Sequence, residues 1–231
     1  MIEVRNISKI FESGQGIRDI SATFLPGRIN MVIGKSGSGK TVLLKCISGL
    51  TETDSGSVLY ENNNTVPRGE VGMLFQNSAL FDYMNVLQNV MFPLDMFSRD
   101  SYAQRKERAM YCLEKVGLAD AADKMIGELS GGMQKRTAIA RAISLNPKYL
   151  LCDEPNSGLD PITSRIIDDL LKNITTEFNT TTIINTHDIG SVNHIADHIL
   201  FMNQGSAVWQ GDKSQFNTAD NRLLREFLSA Y

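Results

Sequence analysis

Eight consecutive residues, Gly34-Lys35-Ser36-Gly37-Ser38-Gly39-Lys40-Thr41, carry the most readable chemistry in the chain. Gly34, Gly39, Lys40 and Thr41 fit the spacing G-x-x-x-x-G-K-[ST], a loop that wraps polyphosphate. Glycine lets the backbone approach an anion because no side chain intervenes. The loop's N–H groups, and the start of the helix behind it, then face the charge. Lys40 is placed to reach β- and γ-phosphates, and the Thr41 hydroxyl to hold Mg2+. Two carboxylates come much later. Asp153 and Glu154 follow the apolar run Tyr149–Cys152, where the C-terminal edge of a sheet would present them. Asp153 suits Mg2+, directly or through a water, and Glu154 suits polarising an attacking water. His187 follows a third apolar run and falls on the same edge. Ser130-Gly131-Gly132 is a second anion-binding helix start, because Ser130 is a natural N-cap and the glycines leave backbone N–H groups bare.

The flanks say what must position these groups. Ile29, Met31, Val32 and Ile33 read as a buried strand before the phosphate loop. Val42, Leu43, Leu44 and Ile47 recur at helical spacing after it, with Gly49 as a stop. Residues 1–25 read as two strands split by Ser13-Gly14-Gln15-Gly16, with Phe11 just before that turn and Pro26-Gly27 ending the pair. Strands are also expected at 57–60 and 71–75, separated by a polar loop over 61–69, and the second ends at Gln76. Strand signals then vanish. Val86–Phe97 is apolar, methionine-rich and interrupted by Pro93, and Ala103–Val116 is helical with Ala109, Met110, Leu113 and Val116 on one face. Arg105, Lys106 and Arg108 crowd the opposite face, which reads as solvated rather than as a nucleic-acid site, since no aromatics interleave. After Tyr149 strand and helix alternate again, so the fold expected is α/β: a parallel sheet covered on both faces, an N-terminal antiparallel β-subdomain and a helical insert. The core is assigned to 1–76 and 146–210, the insert to 77–145, and an amphipathic tail to 211–231.

Composition narrows the function classes. The 231 residues carry a net charge of −3, with 42% hydrophobic and 21% charged side chains, so no whole-molecule attraction to nucleic acid or anionic lipid is implied. No uninterrupted apolar stretch approaches the ~20 residues that span a bilayer, and the start, Met-Ile-Glu-Val-Arg, reads as a strand rather than a signal segment. Cys46, Cys112 and Cys152 are scattered in apolar segments, which suits a reducing compartment and simple packing. Any membrane role is therefore expected to come through a partner chain.

The phosphate loop, Gln76, Leu129-Ser130-Gly131-Gly132-Met133-Gln134, the strand ending Asp153-Glu154-Pro155, the turn Ser157-Gly158-Leu159-Asp160 and His187 come in one order. In that order they resemble the nucleotide-binding subunit of an ATP-binding cassette (ABC) transporter over nearly the full length. The resemblance implies one ABC ATPase domain over 1–231, with ATP and Mg2+ as cofactors. It makes Phe11 the aromatic that stacks on adenine and Gln76 the sensor of Mg2+ and of the transport partner. Glu154 becomes the catalytic carboxylate, His187 the contact to the γ-phosphate, and Asp160 part of the loop meeting a second copy. It also implies a homodimer in which each ATP lies between the phosphate loop of one copy and Ser130–Gly132 of the other. The expected place is the cytoplasmic face of an inner membrane, beneath an integral permease.

A narrower resemblance is carried by Met73–Phe81, Met84-Asn85-Val86, Asn89-Val90, Leu159–Thr163 and Arg225–Leu228. These are similar to the ATPase of the maintenance-of-lipid-asymmetry and mammalian-cell-entry phospholipid transporters, with a shorter 61–69 segment than that family usually has. This implies phospholipid cargo and lipid-binding accessory subunits. Leu80, Phe81, Met84 and Val86 are then expected to line the permease groove, and Leu223, Leu224, Phe227 and Leu228 to pack across the dimer. An amino-acid or lipoprotein transporter, a non-transport ABC ATPase and a nucleotide-binding regulator are the alternatives. A single motif set without long heptads weighs against the second, and intact Glu154 and His187 against the third.

Overall fold

The computed structural model describes residues 1–67 and 69–229. Arg68, in the expected 61–69 loop, and Ala230 and Tyr231, in the expected tail, lie outside the described residues. In chain order the strands are β1 (Ile2–Ile10), β2 (Gly16–Phe24), β3 (Ile29–Ile33), β4 (Ser55–Tyr60), β5 (Val71–Leu74), β6 (Tyr149–Asp153), β7 (Thr181–Thr186), β8 (His198–Asn203) and β9 (Ser206–Asp212). The helices are α1 (Lys40–Ser48), α2 (Val86–Phe97), α3 (Tyr102–Lys115), α4 (Gly131–Ile143), α5 (Pro161–Phe178), α6 (Ile189–Ile195), α7 (Lys213–Phe216) and α8 (Arg222–Leu228).

Two sheets form. The small one is antiparallel, in the order β2-β1-β4; the large one runs β5-β6-β7-β3-β8-β9 and is parallel up to β8. Side chains alternate between its faces, as strand geometry requires. Ile29, Met31 and Ile33 of β3, with Leu150 and Cys152 of β6, enter the core shared with α2–α6. Val32, Leu151, Ile183 and Leu200 enter the other core, with α1 and the small sheet. Both faces are buried, so these strands read as continuous apolar runs instead of alternating ones. The phosphate loop, Glu154 and His187 follow β3, β6 and β7, three adjacent strands, and so share one edge.

The structure differs from the sequence expectation in four places. Strand β9 was not anticipated; it pairs antiparallel with β8 through Gln204-Gly205, both at positive φ, as a two-residue hairpin needs. Helix α2 continues through Pro93. Proline inside a helix costs about 3 kcal/mol, here set against an Asn85–Gln88 capping box and the burial of Val86, Val90, Met91 and Leu94. Arg108 is half-buried rather than free in water: it donates to the carbonyls of Ile143 and Ser144 at the C-terminal end of α4. The tail packs on its own domain. Leu224 and Phe227 are buried, with the Phe227 ring 5.1 Å from Phe201 of β8, leaving Leu223 exposed. Helix α8 presents its apolar face to that core, and nothing of it is left for a second copy except Leu223 and the half-buried Leu228.

Candidate functional site

Backbone at the phosphate loop is as compact as the motif demands. A Cβ on Gly34, at φ 152°, would come within 2.3 Å of the Met202 carbonyl and 2.6 Å of Ser38 Oγ. Helix α1 starts at Gly39 with no side-chain cap, so its first N–H groups remain available to an anion. Lys40 is buried, and its ammonium donates to the carbonyls of Gly34 (2.8 Å) and Lys35 (3.3 Å). Burial lowers its pKa, opposed by the nearby charges of Glu154 and Asp153. Ser38 Oγ is buried without a partner, an orphan that a phosphate oxygen would satisfy.

Asp153 closes β6 beside this loop. Its Oδ1 accepts from Thr41 Oγ1 and from Asn185 Nδ2, both at 3.1 Å. A hydroxyl and a carboxylate are hard oxygen donors that suit Mg2+, which takes one or two protein ligands and fills the rest with phosphate and water. Glu154 follows at φ 46°, a left-handed conformation costing a non-glycine residue of order 1–3 kcal/mol, kept where the surroundings enforce it. Its N–H donates to the Asn185 carbonyl at 3.0 Å. Gln76 Nε2 donates to Glu154 Oε2 at 3.2 Å and to Ser157 Oγ at 3.4 Å, while His187 Nδ1 lies 3.2 Å from Glu154 Oε1. One carboxylate is thus held from two sides, at a sheet edge, next to a cradle for phosphate.

Phe11, Ser36–Thr41, Gln76 and Glu154 line one cavity of about 340 Å3. Phe11 is 42% exposed at the end of β1, its N–H donating to the Gln15 carbonyl. Ser130, Gly131, Gly132 and Asp160 line a different cavity, of about 370 Å3. There Ser130 caps α4, accepting from the Met133 N–H at 3.3 Å. Asp160 caps α5, with Pro161 at its first position; it accepts from the N–H groups of Ile162 and Thr163 and from Thr163 Oγ1. Those bonds hold the Asp160 carboxyl below its usual range. A Cβ on Gly132 would sit 2.7 Å from Thr163 Cγ2, so the glycine is what lets α4 approach α5. His187 stands between, lining a third cavity of about 570 Å3 with Glu154 and Asp168.

The ABC transporter family matches residues 17–157, more than half of the chain. The chain belongs to that family. This ABC protein is an ATPase that binds ATP with Mg2+. It is 36% identical to the methionine import ATP-binding protein MetN of Clostridioides difficile, over 99% of this chain and 74% of that protein. It is 37% identical to the glutamine transport ATP-binding protein GlnQ of Geobacillus stearothermophilus, over 94% and 92%. Among solved structures, the ATP-binding cassette MJ0796, dimeric in a post-hydrolysis state with ADP and Pi, superposes with a TM-score of 0.82. It shares 29% identity and covers 92% of this chain and 99% of its own. CbiO1 of Clostridium perfringens, part of the ABC transporter complex cbiONQ, gives 0.86 at 27% identity, over 99% and 98%.

The ABC ATPase has further polar groups at this edge that motif spacing did not point to. Asn185 was visible as one amide in a β-branched strand, and Ser157 as part of the Ser157–Asp160 turn. Of the four residues expected to line an apolar groove, only Phe81 lines an apolar cavity among the described residues. Phe81 lines a cavity of about 780 Å3 together with Phe92, Pro93, Phe97, Leu50 and Val66. Val86 is fully buried in the core at the start of α2; Leu80 packs on the core, and Met84 lies outside the groove.

Proposed function

We propose that this ABC ATPase powers an integral membrane permease as a homodimer with two shared ATP sites, and that its cargo is phospholipid in a bacterial envelope. The separation of the phosphate-loop cavity from the Ser130–Asp160 cavity within one chain supports the shared sites. The dimeric MJ0796 cassette supports them as well. In this reading Phe11 stacks on adenine, and Gly34–Thr41 hold the polyphosphate, with Lys40 countering its charge. Bound Mg2+ would supply charge neutralisation at the phosphates, with Thr41, Asp153 and Gln76 as its protein partners. Glu154 orients the attacking water while Gln76 and His187 hold its carboxylate. Ser130–Gly132 of the second copy close over the γ-phosphate, with Asp160 at the same junction, so that turnover requires closure.

The groove beside Gln76 takes a permease helix, since aromatic and aliphatic side chains there match the apolar face of an amphipathic helix. The protein then sits at the cytoplasmic face of the inner membrane; no described helix is long and apolar enough to cross one. Core 1–76 and 146–210, insert 77–145 and tail 211–231 are the units of this mechanism. The stretch Met73–Val90 and its likeness to phospholipid-transport ATPases support the cargo, along with lipid-binding accessory subunits. Amino-acid cargo is the second reading, and the methionine import and glutamine transport for which MetN and GlnQ are named favour it. ATPase activity of the reconstituted complex separates the two. Stimulation by phospholipid-loaded partner supports the first, and stimulation by an amino acid with none by lipid removes it.

A further inference from the structure

The segment after Gln76 is strained and gripped. Ser78 and Ala79 stand at φ 61° and 50°, left-handed values that neither side chain favours. Three consecutive-region carbonyls are held from outside by cations of one helix, α4. Lys135 donates to the Gln76 carbonyl, and Arg141 spreads its fork over the carbonyls of Ser78 and Ala79, both at 2.8 Å. Lys135 is 5% exposed, and its ammonium donates to the Gln76 carbonyl. Arg141 also lies over the Phe81 ring, 5.9 Å from its centre. A buried ammonium that merely filled space would be poorly tolerated, since burying a charge needs a partner. Here the partner is backbone that would otherwise relax out of its left-handed turn.

Helix α4 is the one that begins at Ser130, and Gln76 is the residue whose amide touches Glu154. We propose that Lys135 and Arg141 form a two-point clamp that makes the position of Gln76 against Glu154 follow the position of α4. A shift of the Ser130 end of the insert then reaches the carboxylate through rigid helix and three charge-assisted bonds, without any new contact at the nucleotide. Lys135 and Arg141 are positioning residues, acting through Gln76. The clamp rests on the role given above to Gln76 and is independent of the cargo.

A double-mutant cycle tests it. Lys135→Met, and separately Arg141→Lys, are placed in the full-length wild-type chain and in Gln76→Ala, with kcat and KM for ATP measured for each. The clamp predicts a roughly tenfold fall in kcat for each in the wild-type chain, with KM within twofold. In the Gln76→Ala chain the same substitutions lower kcat by less than twofold. Equal fold-losses in both chains, or an effect confined to KM, overturn it, because a purely structural role costs the same with or without the Gln76 amide. If Lys135→Met does not fold, Arg141→Lys keeps the cation and decides alone. Full kcat in Gln76→Ala itself would instead refute the role of Gln76.

Discussion

The phosphate-loop cavity and the Ser130–Asp160 cavity are built by the same means and end in different states. Each has a glycine-rich helix start, uncapped at α1 and capped by Ser130 at α4, a close glycine approach, and an aspartate at hand. Around the first, three adjacent parallel strands deliver Lys40, Thr41, Asp153, Glu154 and His187 to one edge, and the polar groups touch one another. Around the second, Ser130 and Asp160 spend their hydrogen bonds on capping their own helices. No carboxylate other than Asp160, and no lysine, lines it among the described residues. One region gathers a lysine, carboxylates and a histidine, and the other offers backbone donors without such groups beside them. The contrast teaches that one chain places the two kinds of group apart, and in the proposed reading a complete site needs both.

The sharpest way to break this contrast is to remove chemistry from the first region. Glu154→Gln keeps the shape and the Gln76 and His187 neighbours but loses the charge proposed to orient water. ATP hydrolysis should fall by about 10³ or more while ATP binding persists. Size-exclusion chromatography with ATP should then show a dimer, and near-normal turnover would remove Glu154 from its role. Ser130→Arg strikes the second region. It should lower hydrolysis by roughly 10² or more, with ATP affinity of the monomeric protein within twofold by titration calorimetry. Loss of that affinity would mean that Ser130 already serves the phosphate loop of its own chain.

Smaller effects sharpen the same comparison. Phe11→Ala should weaken ATP by about 1 kcal/mol, roughly fivefold, as loss of one base–aromatic stack does. Inorganic triphosphate should bind as before, because it has no base to stack. Phe97→Asp, in the apolar groove at 65% exposure, should release the permease in co-purification. Its melting temperature should move by only a few degrees, since the side chain is not part of the core.

The first region was legible in the sequence because its chemistry is local. A glycine loop between a strand and a helix, and carboxylates at a strand end, are short-range patterns that a parallel sheet must bring to one edge. The insert was harder. Val86 and Phe97 look alike in an apolar run and share nearly one face of α2, yet one end of the helix packs on the core and the other stands exposed, which periodicity does not read. Strand β9 hid because half-buried Ala207, Val208 and Trp209 give no clean alternation, and Gln204-Gly205 is a weak hairpin signal. Helix α8 has an apolar face that periodicity could find, but periodicity does not say what covers it; Phe201 does. Lys135 was unreadable, as a lysine in an amphipathic helix is expected in water, and burial against a backbone carbonyl depends on where a distant turn is placed.

The central claim is that the two regions work only across two copies, and mixing two dead variants tests it most directly. Lys40→Ala lacks the first region and Ser130→Arg the second, so each homodimer should be inactive. In a mixed dimer one site joins the intact phosphate loop of the Ser130→Arg chain to the intact Ser130 surface of the Lys40→Ala chain. The account predicts that ATPase activity returns on mixing equal amounts, from one working site in each mixed dimer. A mixture that forms mixed dimers and stays as inactive as its components would contradict it, since that is the result expected if each chain completed its own site.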